Sequence, residues 1–192
     1  MKTTMRYLVA TVGIIGAILL IMYGSYLPIV RSRSYITAIR ALQNIRSFTE
    51  FKRVYERPLD FPIPLGDEEV AKFAAYDVLG IIQNPNHPEE VVRNLVLFIE
   101  PFMVKTNLRH NLALGQMYET LLRNYQKEEY YRAAEGYYRA AVEIGPQVPP
   151  PLFSLMNLYL NAGEEAKANE VAERILEYWP DALKRAPQQE NS

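Results

Sequence analysis

Two consecutive segments of the chain superpose at an offset of 34 residues: 115–148, GQMYETLLRNYQKEEYYRAAEGYYRAAVEIGPQV, and 149–182, PPPLFSLMNLYLNAGEEAKANEVAERILEYWPDA. Several residues recur unchanged at this offset, and others keep their apolar character. The identical pairs are Leu121/Leu155, Tyr125/Tyr159, Ala134/Ala168, Glu143/Glu177 and Pro146/Pro180, and the apolar pairs are Leu122/Met156, Ala141/Ile175 and Val142/Leu176. A fixed period of this size predicts stacked helical hairpins, each of which needs a neighbour to bury its apolar face.

The residues that carry the period resemble the tetratricopeptide (TPR) repeat family. The matching positions are Tyr118, Leu121, Tyr125, Ala134, Tyr138, Ala141 and Pro146 in the first segment, and Leu152, Leu155, Tyr159, Gly163, Ala168 and Pro180 in the second. Leu122 and Met156 stand where the family usually has a small residue, which predicts a slightly wider helix crossing. The resemblance implies an all-α fold, with two TPR repeats over 107–182 as part of an α-solenoid.

In the TPR family, the first helix of each hairpin lines the inner groove that binds a protein or peptide partner. Carried over by position, the candidate groove residues are Glu119, Arg123, Gln126, Lys127, Phe153, Asn157, Leu160 and Asn161. Some family members grip a peptide's terminal carboxylate, and Arg123, Lys127 and Asn157 are the residues available for such a clamp. The resemblance therefore leaves two alternatives, a carboxylate clamp and a partly polar docking groove.

The N-terminus is uncharged between Arg6 and Arg31, and residues 7–27 are mostly apolar. A helix of this length is roughly 30 Å long, which matches the hydrocarbon core of a bilayer. We predict a membrane anchor over 1–30, with Pro28 marking its exit. The alternative is a cleaved signal peptide and a secreted protein, although no small-x-small cleavage pattern follows the apolar run. Gly13 and Ala17 have the spacing that allows close pairing of membrane helices, and glycine and alanine are also common in single spans.

Basic residues are concentrated beside the predicted anchor. Residues 31–57 carry seven Lys/Arg against two Glu, whereas 58–192 carry twelve Lys/Arg against twenty Asp/Glu. The basic stretch is consistent with contact to anionic lipid headgroups or with a solvated helix face. An acidic body excludes nucleic acid as the expected partner. The charges flanking the span favour, by a small margin, a single-pass protein of the plasma (inner) membrane with its body in the cytoplasm.

Between the anchor and the repeats, 31–106 is predicted to form divergent helical hairpins. Ser47 and Glu50 have the spacing of a helix capping box, Gly66 precedes a helix, and Pro101 ends or kinks another. Three prolines over 58–64 predict an extended connector. The polar tail 183–192 is predicted to be disordered.

The sequence contains no motif that indicates catalysis or a cofactor. Acidic clusters at 67–69, 89–90, 128–129 and 164–165 each fall at a predicted helix start, where negative charge stabilises the helix dipole. His87 and His110 lack metal-site spacing, and without cysteine the chain forms no disulfide or thiolate metal site. The tyrosines fall largely on repeat positions, where core packing explains them. We therefore expect a protein that is not an enzyme.

The sequence supports three hypotheses of function. The first is a membrane-anchored TPR-type scaffold or adaptor that binds a protein partner in cell-envelope assembly. The second rests on the order of apolar helix, Pro28 exit, the stretch Ser32–Ala38 and helical repeats, which resembles the C-terminal part of O-antigen ligase or polymerase-like membrane proteins. That resemblance implies an accessory component of a surface-polysaccharide system with a multispanning membrane protein as partner. The third is a secreted, soluble repeat protein left after signal cleavage.

Overall fold

The computed structural model describes residues 2–62 and 66–181, and every regular element within these ranges is helical. The α-helices are α1 (Lys2–Ile21), α2 (Leu27–Leu42), α3 (Phe48–Leu59), α4 (Asp67–Ile82), α5 (Glu89–Ile99), α6 (Leu108–Tyr125), α7 (Glu128–Ile144), α8 (Pro149–Asn161) and α9 (Glu165–Tyr178). A π-helical turn, Met22–Tyr26, joins α1 to α2, and a 3-10 turn, Glu100–Phe102, follows α5. The all-α prediction is confirmed. The predicted tail, 183–192, lies outside the described residues.

The N-terminal apolar segment lies in one continuous helix, Met5–Leu42, which is long and apolar enough to cross a membrane. Its apolar side chains are exposed, including Leu8, Ile14 and Leu20. Because this helix is near the N-terminus, its length and composition fit a membrane anchor and a signal sequence equally well.

Pro28, the predicted exit of the span, lies inside this continuous helix. A proline within an α-helix lacks an N–H donor, and its ring crowds the carbonyl four residues earlier, here that of Gly24. The turn that contains Gly24 is π-helical, and the N–H of Leu27 donates to the carbonyl of Met22, five residues back. This wider turn accommodates the proline without ending the helix.

The chain divides into two compact units between Asp77 and Val78. In the first unit α2 packs against α3, and Ala38, Phe51 and Tyr55 are buried. Ser47 caps α3, because its side chain accepts a hydrogen bond from the N–H of Glu50, as predicted.

The prediction of an extended connector beginning at Pro58 is wrong at its first two residues. Pro58 and Leu59 are buried in the last turn of α3, and the chain leaves the helix only at Asp60. The backbone angle that proline imposes is compatible with a helix, and the Pro58 carbonyl accepts a hydrogen bond from Nε of Arg31 at 2.9 Å. The hydrogen bond from Arg31, which is 27 residues away in the sequence, therefore stabilises the last turn of α3, which the local sequence does not favour.

The second unit contains two antiparallel helix pairs, α6 with α7 and α8 with α9, and α7 also packs against α8. The repeat positions fill its core: Leu121, Ala134, Tyr138, Ala141, Leu152, Leu155, Tyr159, Ala168 and Ile175 are all buried. The helix before this region ends at Ile99, just before Pro101, as predicted. The period read from the sequence thus corresponds to sequential packing of helix pairs.

Gly115 on α6 and Tyr138 on α7 show how closely the first pair packs. A Cβ atom placed on Gly115 would lie 2.4 Å from the Cδ1 and Cε1 atoms of the Tyr138 ring. Tyr138 is fully buried, so its ring has no free space to move away. Only glycine at position 115 allows this ring to lie directly against the backbone of α6.

Candidate functional site

A cleft of about 560 Å³ opens in the second unit where the two helix pairs make their turns. The end of α6 and the start of α7 form one side, and the end of α8 with the following turn forms the other. The lining residues are Glu119, Leu122, Arg123, Gln126, Lys127, Glu128, Tyr131, Leu158, Asn161, Ala162 and Glu164. The cleft therefore lies at the interhelical turns of the two pairs.

Both turns use a left-handed backbone conformation to reverse the chain. Gln126, which follows α6, has φ 54°, and Gly163, which follows α8, has φ 74°. Glycine adopts this region freely, whereas a residue such as glutamine adopts it less readily. The Gln126 N–H donates to the Leu122 carbonyl, and its side-chain amide donates to the Arg123 carbonyl at 2.9 Å. These bonds satisfy carbonyls at the end of α6 and fix the rim of the cleft.

The structure brings five of the eight predicted groove residues to this cleft: Glu119, Arg123, Gln126, Lys127 and Asn161. The other three, Phe153, Asn157 and Leu160, lie on α8 and are not among the lining residues. Phe153 packs against the core cluster, whereas Asn157 and Leu160 are exposed. Of the predicted carboxylate clamp, Arg123 and Lys127 line the cleft and Asn157 does not.

Most charged groups around the cleft are paired within the chain. Lys127 lies 2.6 Å from Glu89, Glu164 lies 2.7 Å from Lys167, and Glu128 is paired with Arg132. Arg123 is different, because its guanidinium is exposed and makes no hydrogen bond or ion pair within 2–62 and 66–181. A guanidinium donates two parallel hydrogen bonds to a carboxylate, so Arg123 is the lining group best suited to bind an anionic side chain or chain terminus.

Apolar atoms lie beside this cation. Leu122 is half-buried, Leu158 is buried, and both line the cleft together with Ala162. The combination offers a polar edge with a small apolar surface, the usual composition of a site that binds a peptide side chain.

Tyrosine hydroxyls from one helix donate to carboxylates of another and stabilise the walls of the cleft. Tyr138 on α7 donates to Glu119 on α6, and Tyr131 donates to Glu164 at 2.8 Å. Burial raises the pKa values of Tyr131 and Tyr138 well above that of a free tyrosine, and the nearby carboxylates of Glu164 and Glu119 raise them further. Conversely, the pKa of Glu164 is lowered by hydrogen bonds from Lys167 and Tyr131.

A second carboxylate, Glu89, is likewise bound by a tyrosine and a lysine. Tyr130 donates to Glu89 at 2.5 Å, and Glu89 also pairs with Lys127. The hydrogen bond from Lys127 makes the largest contribution to lowering the pKa of Glu89, and the hydrogen bond from Tyr130 lowers it further. Glu89 and Glu164 do lie at helix starts, as predicted, but each also binds tyrosine and lysine, which sequence reasoning missed. The repeated Tyr-Tyr pairs at 130–131 and 137–138 were the only local signal of these partners.

Within the part of the chain that the structure describes, no group of three or more His, Cys, Asp or Glu side chains is placed to hold a metal ion. His110 is buried at the start of α6, and its Nδ1 accepts a hydrogen bond from the Val104 N–H at 2.8 Å. His110 therefore has a structural role in the loop before α6.

Comparison with known proteins gave no match to this chain among family models, curated proteins or solved structures.

Proposed function

We propose that the protein is a membrane-anchored helical adaptor that binds a segment of a protein partner without chemical turnover. In this proposal α6–α9 act as two TPR-like repeats of an α-solenoid, and Met5–Leu42 carries the anchor of a single-pass inner-membrane protein. The observation that carries the proposal is the cleft at the turns of the two helix pairs, where Arg123, which has no ion pair among the described residues, lies beside Leu122 and Leu158.

The cleft favours a partner segment that presents a carboxylate next to an apolar side chain. Arg123 supplies the charge that an anionic group needs, whereas Lys127 is already neutralised by Glu89. The buried Leu158 and the half-buried Leu122 supply apolar surface for the neighbouring side chain. A charge-assisted arginine–carboxylate hydrogen bond contributes on the order of 1.5–3 kcal/mol once the bound partner covers it.

The cleft is also held in shape before any partner binds. Tyr138 and Tyr131 bond to the lining residues Glu119 and Glu164 across elements, so the walls do not have to order on binding. A preformed site loses less conformational entropy on association than a flexible one. This property is typical of a docking surface, and it requires no reacting group.

Photocrosslinking in membranes tests the proposal. A photoreactive phenylalanine analogue replaces Asn161, which is exposed and lines the cleft. The matched control carries the same analogue at Glu143, which is exposed on α7 and does not line the cleft. We expect one or a few discrete protein adducts from position 161 and none of the same mass from position 143.

A second variant identifies the group that binds the partner. Arg123→Gln keeps the size and polarity of the side chain and removes its charge, so it should reduce the adduct at least fivefold. Equal adducts from positions 143 and 161, or an adduct that Arg123→Gln leaves unchanged, would contradict the proposal. A multispanning membrane protein as the adduct would favour the accessory role in a surface-polysaccharide system over that of a free-standing adaptor.

A further inference from the structure

A second concave surface, of about 530 Å³, lies in the first unit between α2 and α4. On α2 it is lined by residues that recur along one face of the helix: Pro28, Arg31, Ser32, Tyr35, Ile36 and Ile39. Phe73 and Tyr76 line it from α4. We call this surface the juxtamembrane groove, because α2 continues directly from the helix of the predicted span.

Large apolar side chains of the juxtamembrane groove are exposed to solvent. The exposed fractions are 46% for Ile36, 40% for Ile39, 47% for Phe73 and 46% for Tyr76. Single exposed apolar residues are common on protein surfaces, but a cluster that forms one concave patch marks an interaction surface.

Three polar lining groups of the groove, Arg31, Tyr35 and Asp77, are engaged inside the unit. Arg31 is buried and donates to the Pro58 carbonyl and to Asp67. The hydroxyls of Tyr35 and Tyr55 both donate to Asp77, each at 2.8 Å. These contacts leave an apolar surface for a partner, and they fix the position of α4 beside α2.

The long helix restricts how a second copy of the chain can approach this surface. Two copies anchored in one membrane with the same orientation place their α2 helices parallel, with equal residues at equal heights. Contact along Ile36 and Ile39 then brings each α2 beside the groove of the other copy, which is the self-complementary arrangement of a two-fold dimer.

Charge at the rim fits the same arrangement. Arg33 is exposed on α2, about 3 Å along the helix axis from Arg31, which contacts Asp67. The first turn of α4 carries Asp67, Glu68 and Glu69, of which Asp67 pairs with Arg31 and Glu69 with Lys72, so three carboxylates stand against these two cations. In a parallel pair, Arg33 of one copy lies near the height of this acidic turn in the other, so the rims attract each other.

From the apolar groove, the continuous helix and the charges at its rim, we infer that the protein forms a parallel homodimer through the juxtamembrane groove. This inference rests on the retained anchor of the proposed function, and it does not depend on the cleft at α6–α9.

Cysteine crosslinking in membranes tests the dimer cleanly, because the natural chain contains no cysteine. Ile39→Cys places the thiol in the groove, and Thr37→Cys is the matched control on the same helix. Thr37 is exposed and, two residues away, points about 200° from Ile39 around the helix axis. Under mild oxidation we expect at least tenfold more disulfide-linked dimer from Ile39→Cys than from Thr37→Cys.

A further change tests the role of the groove. Phe73→Glu, introduced with Ile39→Cys, places a charge on the opposite wall at an exposed position, and should reduce the dimer at least fivefold. Unchanged circular dichroism and protease resistance of this variant in detergent would show that it still folds.

Three results would overturn the inference: no dimer from Ile39→Cys, equal dimer from both cysteine positions, or a disulfide to a different protein. Intact mass separates a failed dimer from a failed anchor. A full-length chain that does not crosslink contradicts the dimer alone, whereas a chain that has lost its N-terminal helix contradicts the anchor on which the proposed function also rests.

Discussion

Helix α1 and the helix pairs α6–α9 are both rich in apolar residues, yet they place these residues in opposite environments. In α1, Leu8 is 65% and Leu20 is 75% exposed, whereas Leu121 and Leu152 in the helix pairs are completely buried. The difference follows from the sequence pattern. A helix that is apolar on all sides cannot be covered by one neighbour, whereas apolar residues at intervals of three and four make one face that a partner helix covers.

Helix α1 and the helix pairs α6–α9 also differ in their content of polar side chains. Between Arg6 and Arg31 the chain has no ionisable acid or base apart from tyrosine, so α1 suits a solvent that solvates charges poorly. In the helix pairs, tyrosine hydroxyls enter the core and donate to carboxylates of neighbouring elements, as Tyr138 does to Glu119. The comparison indicates that α1 is suited to an apolar solvent, whereas α6–α9 form a core of their own.

Removing the most buried aromatic residue of α6–α9 should have the largest effect on this core. We expect Tyr138→Ala to lower the free energy of unfolding by about 3–5 kcal/mol, because it leaves a cavity and removes a donor from Glu119. Urea unfolding of the full chain in detergent, followed by circular dichroism, measures the loss. Tyr138→Phe keeps the ring and should lose only about 1–3 kcal/mol. A loss below 1 kcal/mol for the alanine variant would contradict the packing described.

A charged residue introduced into α1 tests whether this helix inserts into a membrane. Ile18→Arg should oppose membrane insertion by about 2.5–3.5 kcal/mol, since arginine is costly at the centre of a span. The measurement is the fraction of protein that remains in the membrane pellet after washing with alkaline carbonate. Thr37→Arg, outside the predicted span, is the control and should leave this fraction unchanged. Equal retention of both variants would show that α1 does not lie in the bilayer.

Two glycines in the helix pairs give a more sensitive test. Gly115→Ala should destabilise the fold by about 1–3 kcal/mol, because the new methyl group overlaps the Tyr138 ring. Gly136→Ala, on α7, meets no atom within 4 Å and should stabilise the fold by about 0.5–1 kcal/mol through helix propensity. Urea unfolding distinguishes the two signs. A stabilising Gly115→Ala would mean that α6 and α7 pack less closely than described.

The smallest expected effect concerns pH. The pKa of Glu89 is lowered in the folded state by Lys127 and Tyr130, so its contribution to stability is present above the unfolded pKa, near 4.5, and is lost as pH falls through the lower folded value. Glu89→Gln removes this contribution at neutral pH, and the variant should therefore lose less stability than the natural chain below pH 4.5. Thermal unfolding measured between pH 3 and pH 7 should show this flatter profile.

Glu90→Gln is the matched control for that experiment. Glu90 is exposed beside Glu89 and makes no hydrogen bond or ion pair within the described ranges. A Glu90→Gln variant that flattens the profile as much as Glu89→Gln would contradict the role of the Lys127 and Tyr130 contacts.

Sequence reasoning predicted the features that depend on local or periodic signals. The 34-residue offset, the Ser47 cap and the helix end before Pro101 each follow from residues close together in the chain. It failed at Pro58, where a buried contact to Arg31 keeps the helix intact. It also failed to anticipate the π-helical turn before Pro28, because proline alone does not show whether a helix ends or widens.

The predicted groove residues and the lining of the cleft overlap only in part, for the same reason. Arg123 and Asn161 come together in the cleft, but Asn157, one turn earlier on α8, does not line it. The second turn comes later in its segment than the first, since α6 ends at Tyr125 and α8 at Asn161, an interval of 36 residues instead of 34. Groove positions that are transferred from a family pattern at a fixed offset of 34 residues cannot account for this difference in helix length. The tyrosine–carboxylate bonds join residues far apart in sequence, as Tyr131 and Glu164 are, and no local pattern encodes them.

The most direct test of this account is the mass and location of the expressed chain after cell fractionation. A retained membrane anchor predicts a species of 22.1 kDa that stays in the membrane pellet through an alkaline carbonate wash. A soluble species that has lost the N-terminal apolar helix would contradict it, and would make the protein a secreted helical domain.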